Sequence, residues 1–567
     1  MFDARERSLC YTDPSMDEPA SAAPPEAHVS LPWWNPLRYL APGTSFPWES
    51  TLLNLAAVLV GVYAGLATGL LAHFISVFQL LFFHTGEFLS ALGDSAWRNA
   101  LVAEIGRAPW HFEYLVVAVV ALLASRALSP FAESKLFRRV PIFQKQRLRL
   151  VASVLGFGLV LYYPVLVLAA FTRSFGEVSG GLSTMLANAP RLLRLVVPAL
   201  GGLAAGVLVR FVAPESGGHG VVEVMRSVAE QRRIPGKVAL WKSMVAGLVI
   251  GSGGSCGREG PVVHMGAAVG SELGDRLGLS GENVALLLAC GGAAGIAASF
   301  NAPIAGAMFA LEILLGAYSV ASFGPILLAA VTATTTAHTL LAAHSEVVHV
   351  TYSLRAPGEI GAYALLGLLC AVGGIAYART LHWAEELFDG REGSALGRAI
   401  ARVPPFLRPM LGGLGCGLFG LFVPEVMGNG YESMNAALLE HLGLGLLAAA
   451  LIAKLFASAS TLGSGSPGGT FFPAVFLGAM LGGAFGGLLH GLLPNLTAGS
   501  GAYAAVGMGA FVAGATLAPL TGILMVFELT SNYQAVLPLM VACGLAATVV
   551  HWALGGSIYT LKLRAQH

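Results

Sequence analysis

Gly257-Arg258-Glu259-Gly260-Pro261 sets an arginine and a glutamate between glycines in a chain that is otherwise greasy. An ionisable residue at membrane depth costs about 2.5–3.5 kcal/mol on insertion scales, so its presence is a functional signal by default. The flanking glycines leave backbone N–H groups bare, and Pro261 suits the first turn of a helix. A glycine-rich entry to a helix N-terminus is a ready anion site. The stretch reads as an anion cradle with a carboxylate inside it.

The rest of the chain reads as a polytopic membrane protein. Of 567 residues, 55% are hydrophobic and 11% charged, against about 25% charged in soluble domains. A net charge of +1 offers no footing for a nucleic-acid partner. Cys10, Cys256, Cys290, Cys370, Cys416 and Cys543 are scattered, with no C-x-x-C pair, and read as packing residues rather than metal ligands or a disulfide framework. No cofactor is called for. Residues 1–47 are rich in Pro, Ser, Ala and charge and read as a mostly disordered cytoplasmic tail, with Trp33 and Trp34 as interface anchors. The transmembrane domain is expected over 48–565.

Several apolar stretches are shorter than the roughly 20 residues a crossing helix needs. Many are broken by Gly and Pro, which is tolerated only inside protein or along a polar cavity. Such breaks point to a transporter's binding site. Six basic residues in 131–149 and a second basic loop (Arg226, Arg232, Arg233, Lys237, Lys242) should face the cytoplasm. Threading 50–85, 113–129, 148–172 and 191–213 through the bilayer in turn then puts the N-terminus inside as well.

Two blocks recur. Gly257, Pro261, Val263, Gly266, Gly270 and Gly274 match Gly469, Pro473, Val475, Gly478, Gly482 and Gly486 at an offset of 212. Gly291, Ala302, Pro303, Gly306 and Glu312 match Gly507, Ala518, Pro519, Gly522 and Glu528 at an offset of 216. The first repeat spans about 190–343 and the second about 360–556. Duplicated halves are a feature of transport folds, with the substrate between them. The pattern leaves open whether the repeats are inverted.

Four segments fit one family. Pro214-Glu215-Ser216-Gly217-Gly218-His219-Gly220-Val221-Val222-Glu223 resembles the first anion-binding motif of the CLC chloride channels and chloride/proton antiporters. Gly257–Pro261 is similar to the second, Gly468-Gly469-Thr470-Phe471-Phe472-Pro473 to the third, and Ser557-Ile558-Tyr559 to the segment carrying the pore tyrosine. The resemblance covers about 190–560, with 50–85 as the first long helix. It implies an all-α fold of two inverted repeats of tilted and broken transmembrane helices. It also implies a homodimer with a pore in each subunit. Carried over by position, Glu259 is the gate, and His219, Gly220, Arg258, Gly260, Thr470, Phe471, Phe472 and Tyr559 line the anion sites. Helix N-termini offer partial positive charge without a full charge that would trap the ion.

The chain departs from the family pattern in places. His219 replaces the usual pore serine or proline; it offers an N–H donor when neutral and a charge when protonated, and is expected to make conductance pH-sensitive. Ile313 stands where proton-coupled members carry an internal glutamate, so the proton-relay position is lost. Glu312 and its repeat mate Glu528 are expected to bond backbone. Residues 113–172 insert two extra apolar spans. The chain ends eight residues after Tyr559, so nucleotide-binding domains are not expected. His264 replaces the glutamine often found after the second motif.

The leading expectation is selective chloride permeation by a passive channel gated by Glu259, in a bacterial inner membrane, with both termini cytoplasmic. The alternative is a chloride/proton exchanger with a different internal proton route. More distant are an intramembrane enzyme, suggested by Gly463-Ser464-Gly465-Ser466, and a non-conducting anion sensor. Glycine-serine runs in membrane helices are usually close-packing devices.

Overall fold

The computed structural model describes residues 48–83, 189–341, 347–348 and 354–565. The tail 1–47, the basic segment 131–149 and the extra spans at 113–172 lie outside the described residues. Leu52–His567 forms one compact unit. Its helices are α1 (Trp48–Phe83), α2 (Arg191–Phe211), α3 (Val221–Ala229), α4 (Lys237–Gly251), α5 (Glu259–Arg276), α6 (Gly281–Phe300) and α7 (Pro303–Phe309). A π-helical turn (Ala310–Leu315) continues α7, and α8 (Val320–Leu341) ends the first half. The second half holds α9 (Glu359–Asp389), α10 (Ala395–Ala401), α11 (Arg408–Gly420), α12 (Tyr431–Leu438), α13 (Leu444–Gly463) and α14 (Phe471–Leu492). It closes with α15 (Ser500–Thr516), α16 (Pro519–Thr530), α17 (Val536–Leu554) and α18 (Ile558–Ala565). Among the described residues, eight helices are long and apolar enough to cross a membrane.

The recurring glycines are helix-crossing points. A methyl on Gly266 of α5 would collide with the Gly291 carbonyl of α6, and one on Gly478 of α14 with the Gly507 carbonyl of α15. Small residues let backbones approach this closely where lipid gives no hydrophobic drive to associate. The pair α5–α6 is thus rebuilt as α14–α15.

Two apolar runs that read as continuous are each two helices. The run 284–316 breaks where Asn301 takes a left-handed conformation (φ 55°) and Pro303 starts α7. The run 502–530 breaks at Leu517 (φ 57°), and Pro519 starts α16. A left-handed residue ends one helix, and proline begins the next without losing a hydrogen bond.

Each new helix start is closed by an acid from the other half. Glu528 accepts from the Ile304 and Ala305 amides at 2.9 and 2.7 Å. Glu312 accepts from the Leu520 and Thr521 amides at 3.0 and 2.7 Å and from the Thr521 hydroxyl at 2.6 Å. The exchange satisfies N–H groups that no helix can satisfy for itself. It explains why both acids persist in apolar surroundings.

Gly257 and Gly469, which are repeat mates, form an isolated antiparallel bridge. Gly257 N–H donates to Gly469 O at 2.9 Å, and Gly469 N–H returns the bond to Gly257 O at 2.7 Å. Equivalent residues that exchange both bonds in antiparallel sense are related by a local two-fold. The halves therefore meet about a local two-fold at this point, the relation that inverted repeats require.

Candidate anion pathway

Three loops converge beside that bridge. Each precedes a helix: residues 217–220 lead into α3, 255–258 into α5 and 467–470 into α14. Gly220 holds φ 91°, and a methyl there would collide with the Gly260 carbonyl; one on Gly260 would collide with the His219 carbonyl. Glycine is required for backbones to cross at this distance. The sequence motifs that lie over two hundred residues apart thus share one small volume.

Glu259 is the first residue of α5 and is fully buried. Its carboxylate folds back over Gly257, where a Cβ would collide with Oε2 and also crowd the Phe472 side chain. An acid at a helix N-terminus sits at the positive end of the dipole. Phe471 and Phe472, the first residues of α14, are fully buried. Both pack on Phe300, with ring centroids 5.9 and 6.3 Å apart. The amides of Glu259, Gly260, Phe471 and Phe472 belong to first turns, which lack intrahelical acceptors.

Tyr559 is 2% exposed, and its hydroxyl lies against that of Thr470; among the described residues neither has another hydrogen-bond partner. Two buried hydroxyls left with only each other keep one proton to spare for an acceptor ligand. Tyr377 of α9 donates to the Thr470 carbonyl at 3.1 Å, which fixes the third loop from behind.

Other expected site residues stand differently. Arg258 donates to the Ser299 hydroxyl at 2.9 Å and the Ser299 carbonyl at 2.8 Å, and its guanidinium lies over the Tyr431 ring. Its side chain braces α6 and α12. The Gly220 amide donates to Glu223 Oε2 at 2.6 Å, closing the start of α3. His219 is 3% exposed, with Nε2 3.2 Å from the Leu462 carbonyl oxygen. Ile313 is buried in the π-helical turn, and His264 is buried in α5. Ser464 bonds the Thr461 carbonyl at 2.7 Å, which is a packing role.

Two residues that the motifs did not select organise the loops. Lys242 and Lys454 have 0% exposure. The Lys242 ammonium donates to the Gly217 and Gly218 carbonyls at 2.7 and 2.8 Å. Lys454 donates to the Val426, Gly428 and Asn429 carbonyls, each at 3.0 Å. In a trans peptide the N–H opposes the C=O, so pinning these carbonyls turns the following amides away from the cation. The signal was present: Lys242 and Lys454 are also offset by 212. The first motif itself recurs, since Pro214, Glu215, Gly218 and Gly220 match Pro424, Glu425, Gly428 and Gly430 at an offset of 210. Gly220 and Gly430 both take positive φ, 91° and 94°.

Buried helix starts, two halves meeting about a two-fold and buried hydroxyls around one point mark an integral membrane protein of the ion-transport class. A family model for voltage gated chloride channels matches residues 201–551. A protein of Ralstonia nicotianae, described as "chloride channel protein ClcB-like", is 37% identical over 388 residues, covering 68% of this chain and 88% of that protein. The voltage-gated ClC-type chloride channel ClcB of Escherichia coli is 32% identical over 394 residues, covering 69% and 91%. A slow cyanobacterial Cl−/H+ antiporter superposes with a TM-score of 0.60 at 26% identity, covering 68% of this chain and 90% of that one. A CLC-type fluoride/proton antiporter gives a TM-score of 0.60 over 91% of this chain and 98% of its own, at 21% identity, a likeness of fold alone. The chain belongs to the CLC family of chloride channels and antiporters, a family of transport proteins rather than enzymes.

Proposed function

We infer that the chain conducts chloride passively across a bacterial inner membrane, with Glu259 as the gate. The observation that carries this reading is the Glu259 carboxylate, buried over Gly257 at the meeting of the three loops. There it takes the place of an anion at a helix N-terminus. Protonation removes its charge, and chloride competes for the same donors. The amides of Glu259, Gly260, Phe471 and Phe472 and the hydroxyls of Thr470 and Tyr559 line the path, with His219, Gly220 and Arg258 shaping its walls. Weak binding at several sites permits throughput. Ile313 supplies no internal carboxyl for a proton, which favours the channel. The E. coli relative is named a channel.

The second reading, a chloride/proton exchanger, is favoured by the likeness to a solved Cl−/H+ antiporter. Purified protein in liposomes separates the two. In the channel, reversal potential tracks chloride alone; uphill proton movement driven by a chloride gradient overturns it. The protein works as a homodimer with both termini cytoplasmic. Ile304 and Leu520, each 42% exposed beside the exchanged helix caps, support an apolar subunit contact there. Light scattering in detergent giving one subunit's mass would reject the dimer.

A further inference from the structure

The proposed gate leaves one ionic cluster unused. Lys562 Nζ in α18 lies 2.7 Å from Glu385 Oε1, near the end of α9. The same ammonium lies 3.0 Å from His219 Nδ1. His219 Nε2 faces the Leu462 carbonyl at 3.2 Å, at the end of α13. A carbonyl only accepts, so Nε2 turns the ring proton toward Leu462, which leaves Nδ1 as the ring's acceptor for the ammonium; Nε2 itself lies 3.2 Å from the ammonium and 3.6 Å from Glu385 Oε1. The imidazole is therefore neutral in this arrangement, and its N–H is spent on Leu462. The cation beside this imidazole is Lys562, while Lys242 is spent on the Gly217 and Gly218 carbonyls.

Position relates this charge to the anion path. Lys562 follows Tyr559 by three residues, so both project from one face of α18. The Lys562 and Glu385 side chains are 17% and 16% exposed, so the pair is reachable by water but not in bulk solvent. Among the described residues, Glu385 and His219 are the acceptors for the ammonium. It has three protons, so one is left over.

We propose that Lys562 recruits the anion at this end of the path, and that Glu385 is the counter-charge that keeps the recruitment weak. The proposal rests on reading Tyr559 as an anion ligand. An unopposed ammonium would bind chloride too tightly to release it, whereas conduction needs entry and exit alike. With Glu385 at 2.7 Å the cation presents little more than a dipole and one free N–H. His219 holds that N–H in place by accepting its neighbour.

A plain latch tying α18 to α9 would show the same contacts, and the sign of two substitutions separates the roles. Chloride binding to purified protein is read by calorimetry, and chloride efflux is read from liposomes. Lys562→Met is expected to weaken chloride binding about tenfold, and Glu385→Gln to tighten it about tenfold while slowing efflux. Lys562→Arg should stay close to wild type. Both of the first two substitutions break the ion pair, so a latch shifts them in the same direction or leaves affinity unchanged; either result overturns the proposal. A wild-type protein that neither binds nor passes chloride would instead bring down the reading of the path, and this inference with it.

Discussion

The two halves share a backbone and divide the chemistry. At the bridge, Glu259 of the first half corresponds to Phe471 of the second, and Arg258 to Thr470. His219 corresponds to Asn429, and Ile313 in its π-helical turn to Leu529 in regular α16. What stays constant is what positions peptide groups: the bridging glycines, the buried lysines and the exchanged glutamates. What varies is what faces the convergence. The scaffold needs symmetry because each half closes the other's helix ends. The proposed gate does not, because one carboxylate is enough to occupy one anion position.

The sharpest way to break this comparison is at Glu259. Wild-type chloride efflux should rise as pH falls, since protonation discharges the carboxylate and releases it from the helix start. Glu259→Ala should make efflux independent of pH and at least about tenfold faster at alkaline pH, the loss of one blocking charge-assisted contact. Phe471→Ala, at the equivalent position, should retain the pH dependence. If both variants lose it, the gate does not belong to one half.

The buried lysines come next. Lys454→Met strands three carbonyls and should lower stability by about 3 kcal/mol, with Lys242→Met somewhat less because two are stranded. Denaturant titration in detergent measures both. A neutral result for either would show that water reaches that loop. Glu528→Gln and Glu312→Gln should each cost about 1–2 kcal/mol, since a charged acceptor becomes a neutral one at a helix start. Glu312→Gln should lose the more, because Glu312 also accepts from the Thr521 hydroxyl while Glu528 serves two amides alone. The smallest effect concerns the left-handed breaks. Asn301 is exposed, so Asn301→Ala should cost about 1 kcal/mol from backbone strain alone.

Much of the scaffold was legible because glycine and proline report backbone geometry directly. Gly266, Gly270 and Gly291 recur where helices touch, and Pro303 and Pro519 mark helix starts, so spacing alone exposed the duplication. The two-fold between the halves was not legible, since direction leaves no mark on spacing; it needed the Gly257–Gly469 bonds. The breaks at Asn301 and Leu517 were hidden inside apolar runs because hydropathy does not register one left-handed residue. Lys242 read as part of a basic cytoplasmic loop by charge count, whereas it is wholly buried. Charge counting sees the ammonium but not the carbonyls that absorb it. Lys562 was overlooked for a related reason: its partners come from positions 219 and 385. No local pattern records such a meeting.

The Gly257–Gly469 bridge also sets a mechanical limit. Drawing the second and third loops apart would sacrifice both of its hydrogen bonds in surroundings without water to replace them. The cheapest way to clear the junction is to rotate one carboxylate about its own side-chain bonds. Opening should accordingly have the small activation enthalpy of a rotamer change, with the tempo of side chains rather than of moving domains.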